Sequence, residues 1–470
     1  MSIKFNDVLK LARAPHTMPV LRSVVFDGKS AMTAAPVDWV VGVPCLQPNL
    51  TEPVVVPVDA ITAHLLKSRH LIVMPDHLSN GQGLVTPFDK KPNMNWEQIL
   101  DMLPKVPQGA AASFDLELDA LDRVLVAAGE HDIRYYLNGV LMDLSNGMLV
   151  GTDGHRLHCY KNRVPMAYKR KRKDGMPVSP VVEVILPRDP LRWITHSASA
   201  AARVTIWDAQ RDEKKPGQPV PQVLLQADDG FVWVRKSIDG RFPDYARVIP
   251  SVLARPVWMQ IDPVKLADTM SAMGKLAMLK SGGKFGAVVV DFGKGEVTLD
   301  GGAEPMPITV NLASDHEDID LKSLDDDLWI GVNAPYLQDL ADCVTPAAQW
   351  RVDHTNCRNQ GLLVIDGDFS GVVMPTRIGG PEKVAPVPQD ATEAAPAEPV
   401  TVDAAPEPAK APGTAQDAQE EPESAPAEPC PAAVAAMVAQ MVGKAQESAK
   451  KAPRKACKAA QIAQAEPVPA

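Results

Sequence analysis

Six times along the chain, a short apolar or alternating run is followed by Asn or Asp and then by an amphipathic segment. Alternation over about four to eight residues is typical of a strand, and apolar positions three and four apart are typical of a helix. We therefore predict six strand and helix pairs. The strand segments and their Asx residues are SIKF with Asn6, EPVVVPV with Asp59, FDLEL with Asp119, EVILPR with Asp189, VWMQI with Asp262 and LWIGV with Asn333.

The Asx residues predict where the helices begin, because an Asx side chain can accept a hydrogen bond from a first-turn N–H. Pro190, Pro263 and Pro335 follow three of them closely, where a helix tolerates proline. The Asx residues recur at intervals of 53 to 73 residues. That recurrence predicts one repeated unit with loop insertions, and each pair of units would form an antiparallel sheet covered by two helices. The predicted fold class is therefore α+β.

The composition changes at about Pro381 to Ala, Pro, Glu and Gln, which predicts a disordered tail over 381–470. Residues 381–430 carry a net charge of −9 and residues 431–470 carry +4. An Ala-rich segment at 431–451 could form a helix, although an isolated helix of that length is marginal in water. We place three domains before the tail, at 1–109, 110–252 and 253–380.

Charge and cysteine content narrow the class of protein. The formal net charge of −10 argues against a protein that coats DNA by bulk charge, while leaving room for a local basic surface. No long apolar run and no leader sequence is visible, so we expect a cytoplasmic protein without a membrane segment. The six cysteines are scattered without metal-ligand spacing, so we expect no disulfide framework, metal or cofactor.

Three longer segments carry a family resemblance. They are DIRYYLNGVLMDL with TDGHRLHCY at 132–160, IDGRFPDYARVIP at 238–250, and VVMPTRI at 372–378. Together they resemble the bacterial DNA sliding clamps, the beta subunits of DNA polymerase III, over roughly residues 1–378. The resemblance implies three tandem clamp domains, a head-to-tail homodimer closed into a ring, and helices that line the hole. The implied partners are double-stranded DNA bound without sequence preference, a replicative polymerase and a clamp loader.

The resemblance also implies one partner-peptide pocket between the second and third domains. On periodicity alone Leu137, Val248 and Val373 are ordinary core positions, and Asp153-Gly154 is a turn. The family motifs place the pocket at Leu137, Thr152, Gly154, His155, Arg156, Leu157, Pro243, Arg247, Val248, Phe285, Asn333, Tyr336, Val373, Met374, Pro375 and Arg377.

Basic residues on five of the predicted helices could cross phosphate backbones without reading bases, as a sliding protein requires. The sixth helix carries Asp339 and Asp342 with no Lys or Arg. For each basic residue, a solvated helix face is the alternative. The candidate DNA-binding residues are Lys10, Arg13, Lys67, Arg69, Arg123, Arg192, Lys265, Lys275 and Lys280.

The chain departs from the family pattern in four places. The first domain is short, Thr376 stands where the family often has methionine, and the tail extends beyond the usual chain end. The second domain also has an insertion with a basic run at 169–173, which could contact DNA or a partner or could be a solvated loop.

Three other functions compete with the clamp. An enzyme could use His155 and His158, but H-x-x-H on a strand directs the two rings to opposite faces, and no further ligand completes a metal site. We therefore predict that the chain is not an enzyme. A sequence-specific DNA-binding regulator lacks its recognition helix here. A clamp-like decoy, which binds clamp partners without encircling DNA, remains the alternative.

Overall fold

Helices occur at all six positions that the repeat predicts. The computed structural model describes residues 2–14, 22–34, 38–88, 112–162, 183–208, 221–250, 256–282, 286–299, 305–314 and 328–378. The helices are α1 (Phe5–Arg13), α2 (Val58–Leu65), α3 (Leu118–Leu125), α4 (Arg188–Ile194), α5 (Pro263–Lys280) and α6 (Ala334–Asp342). The tail with its possible helix at 431–451, the basic run at 169–173 and Phe285 lie outside the described residues.

Strands lie between these helices and after the last of them. In the first third they are β1 (Ser23–Phe26), β2 (Ser30–Ala34), β3 (Trp39–Pro44), β4 (Val54–Pro57), β5 (Ile72–Val73), β6 (His77–Ser79) and β7 (Val85–Pro87). In the middle they are β8 (Ala112–Glu117), β9 (Gly139–Asp143), β10 (Met148–Thr152), β11 (Arg156–Lys161), β12 (Glu183–Pro187), β13 (Ala201–Asp208), β14 (Pro221–Ala227) and β15 (Gly230–Val234).

The last third repeats the arrangement. Its strands are β16 (Pro256–Ile261), β17 (Ala287–Asp291), β18 (Glu296–Leu299), β19 (Met306–Pro307), β20 (Val310–Ala313), β21 (Trp329–Asn333), β22 (Gln349–Asp353), β23 (Leu362–Asp366) and β24 (Phe369–Val373). Five of the six predicted strand segments are confirmed. The strand prediction for SIKF is wrong, because α1 already begins at Phe5 and residues 2–4 belong to no strand.

Of the six Asx side chains, only that of Asp262 caps its helix as predicted. Asp262 is the N-cap of α5, and its side chain accepts from the N–H groups of Val264 and Lys265. Asn333 occupies the N-cap position of α6 without a capping bond from its side chain. The other four residues lie inside the first turn, since the chain is already helical one residue earlier. Acidic side chains there, such as Asp59, favour the helix through its dipole instead.

Neighbouring units exchange their first strands. In the middle third, β8 is the first strand of the first half and pairs with β13 of the second half. Likewise, β12 is the first strand of the second half and pairs with β9 of the first half. The last third repeats this exchange in β16 with β22 and β21 with β17. The first unit has the same relation, because β4 pairs with β1. The helices pack in the matching pairs α1 with α2, α3 with α4, and α5 with α6.

The outermost strands join these thirds into longer sheets. β15 pairs with β3, with Phe231 opposite Gly42 and Val234 opposite Trp39. This pairing completes an antiparallel sheet of eight strands, β4-β1-β2-β3-β15-β14-β13-β8. β11 pairs with β24 in the same way and completes a sheet of nine strands, β12-β9-β10-β11-β24-β23-β22-β16-β20. The domain boundaries at 109 and 252 stay predictions, because hydrogen-bonded sheets run across them.

One continuous core lies between the helices and the inner faces of the sheets. It takes Val8 and Leu9 from α1, Leu121 from α3 and Leu337 from α6, all at most 1% exposed. Two smaller apolar clusters cover other sheet faces. One contains the stacked pair Trp207 and Trp233, and the other contains Leu137 and Leu157. Among the described helices, none is long and apolar enough to cross a membrane.

Asp229 ties the start of the chain to the middle third. Its Oδ2 accepts from the N–H groups of Ile3 at 2.9 Å and Ala198 at 3.0 Å, and its Oδ1 accepts from the Ser197 hydroxyl. Burial opposes ionisation of this carboxyl, but these hydrogen bonds outweigh it and lower the pKa of Asp229. The carboxylate therefore stabilises the junction through its charged form.

Asp229→Asn should lower the free energy of unfolding by ~1 to 2 kcal/mol, because the bonds to a carboxylate become bonds to a neutral amide. Since the folded pKa is depressed, this contribution is present above the unfolded pKa of about 3.9 and is lost as the pH falls through the folded pKa. Urea unfolding at pH 7 and pH 3 measures both effects. Glu52→Gln, on an exposed loop, is the matched control. Equal losses in the two variants would contradict the role of Asp229.

Candidate partner-binding site

The centre of the candidate site is the junction of β11 and β24. Arg156 pairs with Val373, and Leu157 pairs with Val372. The pairing continues beyond the strands, since Met374 N–H donates to the carbonyl oxygen of His155 at 2.9 Å. Two segments about two hundred residues apart in sequence, TDGHRL and VVMPTR, therefore form one hydrogen-bonded surface.

A tight turn presents His155 at this junction. Gly154 has φ +89°, and a Cβ there would lie 2.7 Å from Arg134 Nη1. Asp153 Oδ1 accepts from the N–H groups of His155 and Arg156, and Thr152 Oγ1 accepts from Gly154 N–H at 3.0 Å. The positive φ favours glycine at 154, whereas the nearby Arg134 guanidinium could move aside. The turn that the sequence predicts at Asp153-Gly154 is thus confirmed.

Arg156 connects this turn to α6. Its guanidinium donates to Asp153 Oδ2 at 3.0 Å, to the carbonyl oxygen of Val126 at 2.9 Å, and to Asp339 Oδ2. The side chain is only 10% exposed, so its charge is compensated inside the protein and does not face solvent. Arg156 therefore joins β11, α3 and α6.

Tyr336 lies against two of these groups. Its ring centroid is 4.7 Å from Arg156 Cζ, and its ring stacks on His155 with centroids 6.0 Å apart and planes at 15°. A guanidinium and a stacked ring both attract the face of an aromatic ring, so Arg156 and His155 limit the rotation of the Tyr336 ring. The structure thus brings His155, Arg156 and Tyr336 together, as the family resemblance implies.

The other side of the site is an apolar cluster under the segment at 238–250. Phe242 is 5% exposed and packs with Leu137 and Leu157. The Tyr245 hydroxyl donates to Asp143 Oδ2 at 2.8 Å, which holds this side chain in place. This arrangement holds Pro243 and Arg247 at the surface and leaves Val248 37% exposed.

The predicted pocket residues differ in how far they can reach a partner. Leu137, Leu157 and Val373 are at most 2% exposed, so in this structure they support the surface from below. Met374 is 40% exposed. Among the remaining residues, Asn333 ends β21 and Pro375 is half-buried beside exposed Arg377.

A cavity of about 400 Å³ lies beside the segment 376–378. Arg377 is the one predicted pocket residue that lines it. The lining residues are Ala277, Lys280, Ser281, Ala287, Leu299, Thr376, Arg377 and Ile378. Among the described residues, this cavity shares Arg377 with the predicted pocket.

Eight of the nine candidate DNA-binding residues are exposed. Lys10 pairs with Asp7, and Arg13 donates to Thr62 of α2 at 3.0 Å. Lys67 and Arg69 lie in the turn after α2. The others on helices are Arg192 of α4 and Lys265, Lys275 and Lys280 of α5.

Arg123 is the exception. Its side chain is 14% exposed, lies 3.3 Å from Asp119 and 3.7 Å from Asp366, and covers the Phe369 ring at 5.6 Å. Because α3 and β23 both supply its partners, Arg123 joins the middle and last thirds of the chain. This position favours a structural contribution over contact with DNA.

The H-x-x-H pattern does not form a catalytic or metal centre in the described residues. His158 is completely buried, and its Nδ1 donates to the carbonyl oxygen of Arg123 at 2.7 Å. Burial lowers the pKa of His158 to about 4, so it is neutral at pH 7. No group of three or more His, Cys, Asp or Glu side chains with metal-binding geometry occurs in the part of the chain that is described.

Sequence reasoning missed two residues of the site. Asp339 was set aside because α6 lacks basic residues, yet it accepts from Arg156. Arg134 braces the turn by donating to the carbonyl oxygen of Asp153 at 2.9 Å. Its partner two residues earlier is Asp132, and the hydrogen bond from Arg134 lowers the pKa of Asp132 to about 2.

Sequence relatives point to one group of proteins. A beta sliding clamp of Pseudomonas putida is 26% identical over 267 residues, which cover 55% of this chain and 62% of the relative. A beta sliding clamp of Pseudomonas aeruginosa is 32% identical over 133 residues, which cover 28% of this chain and 30% of the relative. No protein-family model matches the chain.

Solved structures give the fold. The DNA polymerase III subunit beta from Pseudomonas aeruginosa matches with a TM-score of 0.55 and 20% identity, over 79% of this chain and 96% of that one. Caulobacter crescentus pol III beta matches with a TM-score of 0.53 and 19% identity, over 79% and 96%. The chain has the sliding-clamp fold.

This clamp fold accounts for the repeated units, the exchanged first strands and the paired helices described above. The chain is similar in sequence to bacterial beta sliding clamps, as the resemblance of its motifs predicts. The sequence match to the Pseudomonas putida clamp spans 62% of that relative's length.

Arg156→Met should destabilise this clamp fold by ~2 to 4 kcal/mol, because it leaves two carboxylates and a carbonyl oxygen without their shared donor. Arg247→Met is the matched control, since Arg247 also pairs with an aspartate three residues away but is 85% exposed. That control should cost less than ~1 kcal/mol. Urea unfolding compares the two, and similar values would show that Arg156 is not the connection inferred here.

Proposed function

We propose that the chain is a DNA sliding clamp: a non-enzymatic, ring-forming processivity factor that encircles duplex DNA and tethers a replicative polymerase. Its partners would be double-stranded DNA, a second copy of the chain placed head to tail, a clamp loader and a polymerase. The observation that carries this proposal is the pattern of paired and unpaired outer strands.

Two pairs of outer strands are satisfied within the chain, β3 with β15 and β11 with β24. Among the described strands that end a sheet, two are relevant to a dimer. Within the described residues β7 pairs only with β6, and β19 pairs only with β18. An exposed edge offers free N–H and C=O groups to another chain. A head-to-tail dimer would bring β7 of one copy to the β18-β19 edge of the other and so repeat the internal junctions.

Exposed apolar side chains on β7 and on α5, which packs against β18, support this arrangement. Val85 of β7 is 55% exposed, while Met278 and Leu279 in the last turn of α5 are 40% and 60% exposed. Large apolar residues that cluster beside an open edge are typical of a protein interface. Their burial would close the ring through contacts of the kind seen inside it.

DNA would pass through the hole along the helices. The exposed cations on α1, α4 and α5 and in the turn after α2 can contact phosphates without reading bases. We leave Arg123 out of this contact, because it is paired inside the protein.

Partner proteins would dock beside the β11 and β24 junction. His155, Tyr336 and Met374 offer a partly exposed aromatic and apolar surface, with Pro243 and Val248 opposite. Such a surface suits a short peptide with apolar anchors, and the flexible Met374 side chain can adapt to several sequences. The remaining predicted pocket residues would support or orient the peptide.

Closed-ring binding should make retention on DNA topological. The chain, loaded with a clamp loader and ATP on nicked circular DNA, should stay bound until the DNA is linearised and then slide off. Without a loader, binding should be weak and should decrease with salt, because phosphate contacts release counterions. A decoy would give a monomer of 50.6 kDa and no difference between circular and linear DNA.

Two methionines of equal exposure separate the pocket from the ring. Met374→Ala should weaken a fluorescent peptide with a Gln and apolar anchors roughly tenfold or more, since an anchor contact contributes about 1.5 to 3 kcal/mol, while the dimer is unchanged. Met278→Ala, also at 40% exposure, should weaken the dimer and leave the peptide affinity unchanged. Titration calorimetry and sedimentation measure the two effects. The same change in both variants would mean that neither surface is assigned correctly.

A further inference from the structure

His64 is a fully buried polar residue near the C-terminal end of α2. Its Nδ1 lies 2.9 Å from the Thr86 hydroxyl of β7, and its Nε2 lies 3.0 Å from the carbonyl oxygen of His70. Val58, Ile61 and His64 form the buried face of the helix. A leucine would fill that position without hydrogen bonds. Because both ring nitrogens of His64 have hydrogen-bond partners, packing alone does not explain a histidine there.

The two partners determine the form of the imidazole. A carbonyl oxygen can only accept, so the Nε2–H must donate to His70. In the neutral ring Nδ1 then carries the lone pair and accepts from the Thr86 hydroxyl. Each bond therefore has one direction, and the ring is held in one tautomer.

The main chain of His64 holds the turn that follows the helix. Its carbonyl oxygen accepts from the N–H groups of Lys67 and Ser68, both at 3.0 Å. The same turn ends at His70, whose carbonyl oxygen accepts from the ring. Lys67 and Arg69, two of the candidate DNA-facing cations, are thereby tied to the residue that contacts β7.

Thr86 is the only residue of β7 whose side chain is partly buried. It pairs with Leu78 of β6, while Val85 and Pro87 on either side of it are exposed. Because side chains alternate between the two faces of a strand, the Thr86 bond sets how far Val85 and Pro87 stand from α2. A short strand at the sheet edge has few other bonds to hold it in place.

We infer that His64 is a positioning residue for ring closure: through Thr86 it holds the edge strand β7 at the height at which a second copy can pair with it. This inference rests on the proposed ring. It also connects the edge strand to the Lys67 turn, so that the DNA-facing and partner-facing parts of this unit share one buried side chain.

Four variants of the full chain test the inference. Thr86→Val keeps the side-chain shape and removes the hydroxyl donor. His64→Phe keeps a planar ring and removes both bonds, and His64→Gln can restore a donor and an acceptor. Thr62→Val is the control, because its hydroxyl donates to Val58 and accepts from Arg13 of α1, so neither bond involves β7.

The expected result is that Thr86→Val and His64→Phe raise amide exchange at 84–86 and the dimer dissociation constant, each roughly fivefold or more, as loss of a buried hydrogen bond implies. His64→Gln should recover part of both effects, and Thr62→Val should change neither. Peptide affinity should be unchanged throughout. Histidine ¹⁵N spectra of the wild type should show the Nε2–H tautomer of His64, which simple packing would not require.

Unchanged amide exchange in Thr86→Val and His64→Phe would overturn the inference whatever the oligomeric state. Faster exchange with an unchanged dimer constant would also overturn it, because the strand would be positioned for something other than closure. A wild type that stays monomeric at every concentration would instead refute the proposed ring, and the ring-closing role with it. The exchange data keep these outcomes distinct.

Discussion

The main constraint on this fold is that the edge of a β-sheet carries backbone donors and acceptors that need partners. The chain meets it twice by running one sheet into the next, through β3 with β15 and β11 with β24. Each junction joins two thirds of the chain through a ladder of backbone hydrogen bonds. The helices pack against the faces of these sheets. In the proposed dimer, the edges at β7 and β19 would be paired between chains in the same way.

The regular elements were predictable because they depend on local patterns. Alternation and Asx residues gave all six helices and five of the six strands that precede them. Helix starts were less predictable, since an Asx at N-cap and one in the first turn favour a helix for different reasons. Asp262 takes the first position and Asp59 the second. The exchange of first strands was not predictable, because it joins segments tens of residues apart that have no local signature.

The candidate site divides in the same way. The family motifs named His155, Tyr336 and Met374, which the structure brings together. They could not show that Arg156 is buried in a network with Asp339, nor that Arg123 turns away from solvent. Burial of a charge depends on which helix is packed opposite it, and that information is tertiary. His64 illustrates the same limit, because its spacing on α2 is that of an ordinary core position.

The ladder between β11 and β24 has a mechanical meaning. It is both the floor of the candidate docking surface and the seam between the middle and last thirds, so a ligand lying across it contacts both sides of a joint. Bending at that joint would change the contacts of a ligand docked as proposed, so such a ligand would favour one bend of the joint over another. By thermodynamic linkage the two effects are equal in free energy. If partners dock there as proposed, the bend at this joint and the affinity for a partner would be thermodynamically coupled.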